Sequence, residues 1–264
     1  MNPQSAIRNV RVPAPHRDPQ SRPLRVTIHQ PEFLPWLGFF HKLSLADVYV
    51  ALDTVQYRHK YFQNRNRIRG PAGELWLNVP VLHKHHRDQP IRNVAINNAE
   101  PRWRQKLWRS LALNYHKAPH FDDYAGAYEA IFLRSWASLA ELNVYLIGTT
   151  LGLLGLATQV RLASELGVAG AGAPLILDIC RALDPDVYIS GVSGIAGRGR
   201  DHESHFTEAG IEVVYQAFQH PIYPQRHQPF LPCMSIVDLL FNCGPHSLDV
   251  LQGRGVEVMQ DLFT

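Results

Sequence analysis

The chain has 264 residues, 45% of them hydrophobic and 19% charged, with 26 Lys and Arg against 23 Asp and Glu. That composition suits a globular fold and excludes a coiled coil, a collagen-like fibre and a wholly disordered polymer. The +3 charge lies in the first 24 residues, which hold four Arg and one Asp; the rest carries 22 of each sign. A neutral folded part argues against a generic nucleic-acid-coating protein.

Residues 1–23 contain five prolines and no apolar run. A secretory signal needs a continuous apolar core and an organelle presequence needs an amphipathic helix. The segment therefore reads as a disordered tail ahead of a single α/β domain over 24–264. Cys180, Cys233 and Cys243 have no CxxC spacing and cannot all pair within the chain, which points to a reducing, cytoplasmic setting.

Arg25–His29 reads as a short buried strand, which Pro31 and Pro35 prevent from continuing. Trp36, Phe39, Phe40 and Leu43 recur at helical spacing and predict a helix over Trp36–Ala46; Asp47–Leu52 is a second apolar strand. Strand, proline loop, helix and strand within about thirty residues make a βαβ unit, hence a parallel sheet. Leu75–Leu82 and Arg92–Ile96 read as strands on either side of a polar turn at 83–88. Beyond Pro101 the pattern is helical for roughly fifty residues, in three helices broken near Pro119 and Ser135. Within it, Leu142–Val160 has no Asp, Glu, Lys or Arg and is long enough to cross a bilayer. Its three glycines, two adjacent threonines, Asn143 and Gln159 favour a buried helix instead. After a Gly/Ala-rich break at 167–173 come a helix over Pro174–Leu183, a strand over Asp186–Ser190, a helix from Asp201 and a strand over Gly210–Tyr215. From Ser235 a short helix, a Gly-Pro break and a last helix follow. The expected architecture is a mostly parallel, Rossmann-like sheet flanked by helices, with a helical middle segment packed on it.

Ligands of open parallel sheets bind beyond the carboxyl ends of strands, which directs attention to the segments after Ile28, Leu52, Ile189 and Tyr215. His29 and Gln30 open a two-proline loop ahead of a helix N-terminus, a favourable setting for an anion. His41 follows on that helix, as in nucleotidyltransferases of the HxGH type, but the literal motif is absent. After the second strand come Asp53, Gln56 and Tyr57, then Gln63-Asn64-Arg65-Asn66-Arg67-Ile68-Arg69. No acid separates Asp53 from Glu74, whereas Arg58, Lys60, Arg65, Arg67 and Arg69 all fall there. Guanidinium groups pair with phosphate or carboxylate, and interleaved amides read hydroxyls or base edges. If the segment is extended, Arg65, Arg67 and Arg69 share one face and Asn64 and Asn66 the other.

Ser190 and Gly191 start a loop with four glycines, Arg198 and Arg200. Its backbone is open to a phosphate, although it matches neither GxGxxG nor the P-loop. The fourth segment holds His220, Tyr223 and Gln225, followed by Ser235, Asp238 and Asn242. Asp238 and Asn242 lie i,i+4 on one helix, and Ser235 with Asp238 fits a capping box. His83, His85 and His86, like His202 and His205, are metal-binding types, but adjacent histidines on a polar turn usually face water, and no metal site is assigned.

Taken together these stretches resemble the WbqC-like protein family of bacteria. The motifs are HQPEFLPWLG at 29–38, LDTVQY at 52–57, QNRNRI at 63–68, SG at 190–191, HPIYPQ at 220–225 and SIVDLLFNCG at 235–244. Two departures stand out: Thr54 takes the place of a second acid after Asp53, and the glycine loop after Ser190 is longer and more basic than the family leads one to expect. The resemblance implies a cytoplasmic protein of surface-polysaccharide (O-antigen) or specialised-metabolite gene sets and supplies no reaction.

Residue chemistry then favours a transferase. The expected step is acyl or aminoacyl transfer to an amine of a phosphate-bearing small molecule, such as a nucleotide-linked amino sugar, with an aminoacyl donor as a second partner. His29 or His220, each with an ordinary pKa near neutrality, serves as general base, oriented by Asp53 or Asp238. Arg65, Arg67 and the Gly191–Arg200 loop, Arg198 within it, hold phosphates. Gln30, Gln56, Tyr57, Gln63, Asn64, Asn66, Ser190, Tyr223, Gln225 and Asn242 complete the binding surface. The alternatives are a non-catalytic sugar-nucleotide-binding or scaffold protein and a nucleotidyltransferase. No cofactor or oligomeric state is assigned. All three readings require His29, Arg65, Ser190 and His220 to share one wet cavity.

Overall fold

The computed structural model describes residues 22–82, 89–191 and 201–259, apart from the side chains of 201 and 202. In chain order the elements are β1 (Arg25–His29), α1 (Leu37–Ser44), β2 (Val48–Ala51), a hairpin of β3 (Arg65–Gly70) and β4 (Gly73–Asn78), and the helices α2 (Trp103–Tyr115), α3 (Phe121–Leu133) and α4 (Leu139–Leu153). Then follow β5 (Gln159–Leu162), α5 (Gly172–Leu183), β6 (Val187–Ser190), α6 (Asp201–Glu208), β7 (Glu212–Tyr215), α7 (Ile236–Cys243) and α8 (Ser247–Leu251).

Five strands pair in parallel in the order β5-β2-β1-β6-β7. Side chains alternate across this sheet. Val26, Ile28, Val50 and Leu52 pack with Leu175 and Ile179 of α5 and Phe206 of α6. Tyr49 and Ala51 point the other way, into a cluster with Phe39, Phe40 and Leu43 of α1. Helices thus cover both faces, which is why the central strands read as near-continuous apolar runs. The chain lays β1, β2 and β5 outward in one direction, then returns to place β6 and β7 on the other side of β1. The reversal point lies between β1 and β6, where Thr27 Oγ1 donates to the Ile189 carbonyl (2.9 Å). His29 and Ser190 stand at the carboxyl ends of these two strands, the place where open α/β sheets bind ligands.

The middle segment forms the three expected helices. On α2, Trp103, Leu107, Leu111 and Tyr115 make one buried stripe, and the Ser138 side chain caps α4 by accepting from the Glu141 N–H (3.4 Å). The stretch Leu142–Val160 divides between α4 and β5, and among the described residues no helix is long and apolar enough to cross a membrane. The strand expected over Arg92–Ile96 is corrected to a 3₁₀ turn at Ile91–Asn93 followed by single bridges from Ala95 to Ser138 and Ile96 to Val81. Its backbone groups go to several partners rather than one neighbouring strand, so no ladder forms. The histidines at 83–86 and the glycine loop with Arg198 and Arg200 lie outside the described residues.

Candidate functional site

Residues 30–36, which leave the end of β1, are held from several sides. Gln63 Nε2 donates to Gln30 Oε1 (2.6 Å), and Asn143 Nδ2 donates to the carbonyls of Pro31 (3.0 Å) and Gln63 (2.7 Å). Asn66 Nδ2 donates to the carbonyls of Phe33 (3.2 Å) and Leu34 (2.9 Å). Backbone bonds run from the Phe33 N–H to the Phe62 carbonyl (3.0 Å) and from the Ile236 N–H to the Pro35 carbonyl (2.8 Å). Leu34 sits at φ 42°, in the left-handed region that leucine avoids. Such a conformation costs about 1–3 kcal/mol and persists where the surroundings over-determine it. Gly38 completes the turn: a Cβ there would fall 2.4 Å from the Trp36 indole, so glycine lets the ring lie against the start of α1.

This loop carries charge without partners. Glu32 is 3% exposed and hydrogen-bonds to none of the described residues. Its oxygens are not among the polar atoms sealed from solvent, so the carboxylate is the part that touches water. Lys42 of α1 is 4% exposed, and its Nζ makes one long bond, 3.4 Å, to the Ile28 carbonyl. Lys42 and Glu32 feel each other's charge but do not form an ion pair. Burial lifts the Glu32 carboxyl to about 7 against the pull of the Lys42 ammonium. Burial likewise lowers Lys42 to about 8, against the opposing effect of Glu32. Perturbation by burial together with a specific charge partner is characteristic of functional groups.

Half-buried His29 completes the group. Its Nδ1 faces the Gln30 carbonyl at 3.1 Å, so Nδ1 carries the proton. Nε2 therefore presents a lone pair, and no described residue hydrogen-bonds to it. Burial, then the Lys42 charge, pulls His29 down to about 3. The expectation of a histidine base near neutrality is thereby corrected: His29 is a neutral acceptor at physiological pH, and Glu32 is the group poised near 7. Behind them the Tyr49 hydroxyl donates to the His29 carbonyl (3.2 Å).

A second polar cluster lies under α7. Asp238, fully buried, accepts from the Tyr115 hydroxyl at Oδ1 (2.7 Å) and from the Tyr223 hydroxyl (2.8 Å) and Gln225 Nε2 (2.7 Å) at Oδ2. Burial raises its carboxyl pKa, and these hydrogen bonds and the nearby Arg69 oppose the rise. Asn242 Nδ2 donates to the Asp238 carbonyl (2.7 Å) while its Oδ1 accepts from the Arg226 N–H (3.0 Å). His220 is fully buried, with Nδ1 donating to the Pro221 carbonyl (2.8 Å) and Nε2 accepting from the Cys233 N–H (2.9 Å). The Cys233 N–H can only donate, which fixes the His220 tautomer and uses both ring nitrogens.

The model of the WbqC-like protein family matches residues 30–250, from the loop after β1 to the last helix. The chain belongs to the WbqC-like protein family. It is 31% identical over 230 residues to the uncharacterized protein Rv1507c of Mycobacterium tuberculosis, covering 86% of this chain and 97% of that protein. No solved structure gives a significant match.

In this WbqC-like chain the motifs meet largely through bonds between themselves. Gln63 and Asn66 brace the loop of the first motif, and Asn64 Nδ2 bonds to Asn78 Oδ1 and the Val79 carbonyl (both 3.0 Å). Arg67 pairs with Glu74 (2.5 Å) and donates from Nε to the Cys233 carbonyl (3.3 Å). Arg65 lies over the Trp76 ring (4.6 Å) and donates to the Lys60 carbonyl (2.5 Å). Asp53 caps the 3₁₀ turn at Ala163–Glu165, accepting from the Ser164 N–H (3.0 Å) and hydroxyl (2.7 Å), so it orients no histidine. Ser190 is fully buried, its hydroxyl on the Gly191 carbonyl (3.2 Å); Tyr57 is buried and Gln56 exposed. Ser235 stands at the start of α7 but its hydroxyl caps nothing: the Asp238 N–H goes to the Ser235 carbonyl (2.9 Å), and the Asp238 carboxylate turns inward to the tyrosines instead of closing a capping box.

The single wet cavity joining His29, Arg65, Ser190 and His220 is corrected to two arrangements: an unsatisfied group around Glu32 and a saturated one around Asp238. His220 and Asp238 have no free atoms for chemistry, since their partners are all protein groups. Residue type and spacing do not single out Glu32 and Lys42. Between two prolines a glutamate reads as a turn residue, and a lysine on a helix reads as solvated. The one available signal is that α1 has eight residues and apolar side chains on both sides of Lys42, which leaves the lysine little room to reach water.

Proposed function

We propose that this WbqC-like protein is a transferase that acylates the amine of a small polar substrate in the crevice beyond β1 and β6, with Glu32 as the general base. The observation that carries this reading is a buried carboxylate, poised near 7 and without a hydrogen-bond partner among the described residues, in the loop that leaves the sheet at its reversal point, with a neutral histidine ending the strand before it. A base whose pKa matches the working pH combines the right protonation state with useful proton affinity. The amine loses a proton to Glu32 as its nitrogen attacks the carbonyl carbon of an activated acyl or aminoacyl donor. The bond from that carbon to the leaving group breaks with its electron pair, and Glu32 returns the proton to the leaving group. His29 Nε2 accepts the other N–H of the amine and aims the nitrogen. The setting is the surface-polysaccharide or specialised-metabolite biosynthesis that the family resemblance implies.

The test is mass spectrometry of mixtures of amine acceptors, amino-sugar nucleotides and amino acids alike, with thioester or aminoacyl donors. Wild-type protein yields the acylated product; Glu32→Gln and His29→Ala lose it while keeping a cooperative melting transition. Ligand-induced stabilisation with no product from any mixture would instead support the binding or scaffold role, and release of pyrophosphate would support nucleotidyl transfer.

A further inference from the structure

The relation between Glu32 and Lys42 says more than proton transfer requires, provided that this crevice is a site for an amine. Both side chains are more than nine-tenths buried. Among the described residues Glu32 has no hydrogen-bond partner, and Lys42 uses one of its three N–H groups, in a long bond to a strand carbonyl. Opposite charges buried together normally close into an ion pair, because each then replaces the water the other has lost. Here they do not meet. Glu32 is fixed by a loop that Asn66 and Asn143 hold at the carbonyls of Pro31, Phe33 and Leu34. Lys42 is fixed by α1, whose neighbours Phe39, Phe40 and Leu43 are packed in the core.

An anion and a cation held apart, each lacking partners, complement a molecule that carries the reverse pair. We propose that the acceptor amine is an α-amino acid bound as its zwitterion, with its ammonium on Glu32 and its carboxylate on Lys42. Each end is selected. An amine without a carboxylate leaves the Lys42 ammonium unpaired, and a carboxylic acid without an amine brings a second negative charge to Glu32. The ammonium gives one proton to Glu32 and the freed α-nitrogen attacks; Glu32 passes that proton to the leaving group as its bond to the acyl carbon breaks, and the regenerated carboxylate takes the second N–H proton and releases it to solvent, while Lys42 keeps the substrate in place.

The experiment is calorimetry and saturation-transfer NMR of the full-length protein near neutral pH with the twenty proteinogenic L-amino acids. For each amino acid that binds, the matching decarboxylated amine and deaminated acid are measured next. At least one amino acid binds, and removing either end weakens binding by about ten- to a hundredfold. Lys42→Met and Glu32→Gln produce a similar loss with melting temperatures at or above that of the wild type. Binding of none of the amino acids, equal binding of the amine analogue, or unchanged binding in both variants overturns the proposal. Should Lys42→Met fail to fold, the two analogues on wild-type protein still decide. Glu32-dependent acylation of amines that lack a carboxylate, with no amino acid bound, would leave the transfer reading standing and remove this one. Glu32- and Lys42-dependent amino-acid binding that never leads to product would do the reverse.

Discussion

Glu32 and Asp238 are two carboxylates buried to the same degree in one molecule, and their surroundings are opposite. Asp238 receives two tyrosine hydroxyls and an amide, so its oxygens are filled by protein donors. Glu32 receives none among the described residues, and its strongest charged neighbour is a lysine that does not reach it. Burial alone therefore does not mark a functional group. Hydrogen-bond satisfaction does: a saturated buried carboxylate holds the fold, whereas an unsaturated one is maintained at a cost to stability that a structural role does not explain.

The contrast breaks most visibly on removal of each group. Asp238→Ala leaves Tyr115, Tyr223 and Gln225 without their acceptor and lowers unfolding free energy by about 3–5 kcal/mol in urea denaturation. Glu32→Gln moves stability the other way, by about 1–3 kcal/mol above pH 7, because an ionised buried group disappears. The direction with pH follows from the two pKa values. The Glu32 carboxyl has its folded value above its ordinary 4.5, so its contribution is fully present below 4.5 and is lost as pH rises to about 7. His29 has its folded value below its ordinary 6.5, so its contribution grows from about pH 3 to 6.5. The two slopes oppose between 4.5 and 6.5. The difference between Glu32→Gln and wild type should be flat below 4.5, widen up to about 7 and stay level above; a constant offset at all pH values would remove the assignment.

A smaller effect sharpens the role of the amides. Asn66→Ala frees the carbonyls of Phe33 and Leu34 and costs about 1–3 kcal/mol, with a loss of turnover larger than the loss of folded protein, because the strained loop relaxes and Glu32 moves. Tyr223→Phe removes one of three donors to Asp238 and costs about 1 kcal/mol, with turnover unchanged. A turnover defect in Tyr223→Phe as large as that in Asn66→Ala would join the two clusters into one site.

Much of the fold is legible in the sequence because it rests on local periodicity. The βαβ unit from Arg25 to Leu52 and the three helices after Pro101 follow from proline positions and apolar spacing, and the structure repeats them within a few residues. β5 is not legible in this way, because Gln159-Val160-Arg161-Leu162 is an edge strand, half polar and four residues long. The motif residues are legible as unusual but not as to purpose. Gln63, Asn64 and Asn66 look alike in sequence whether they face a ligand or a backbone carbonyl of a distant segment. Whether a buried charge has partners depends on contacts between such segments, and no spacing rule encodes it. Thus the histidines draw attention by residue type, and Glu32, whose importance comes from what surrounds it, does not.

Everything proposed for this crevice depends on the isolation of Glu32, and titrating that residue tests it: carbon-13 NMR of its side-chain carboxyl in the wild-type protein, with Glu32→Gln to assign the signal. A midpoint at about 7, falling when ligand or added cation occupies the crevice, is the expected result. A midpoint at the ordinary value of 4.5 would mean that the carboxylate is solvated or paired, and neither the general base nor the zwitterion site would stand.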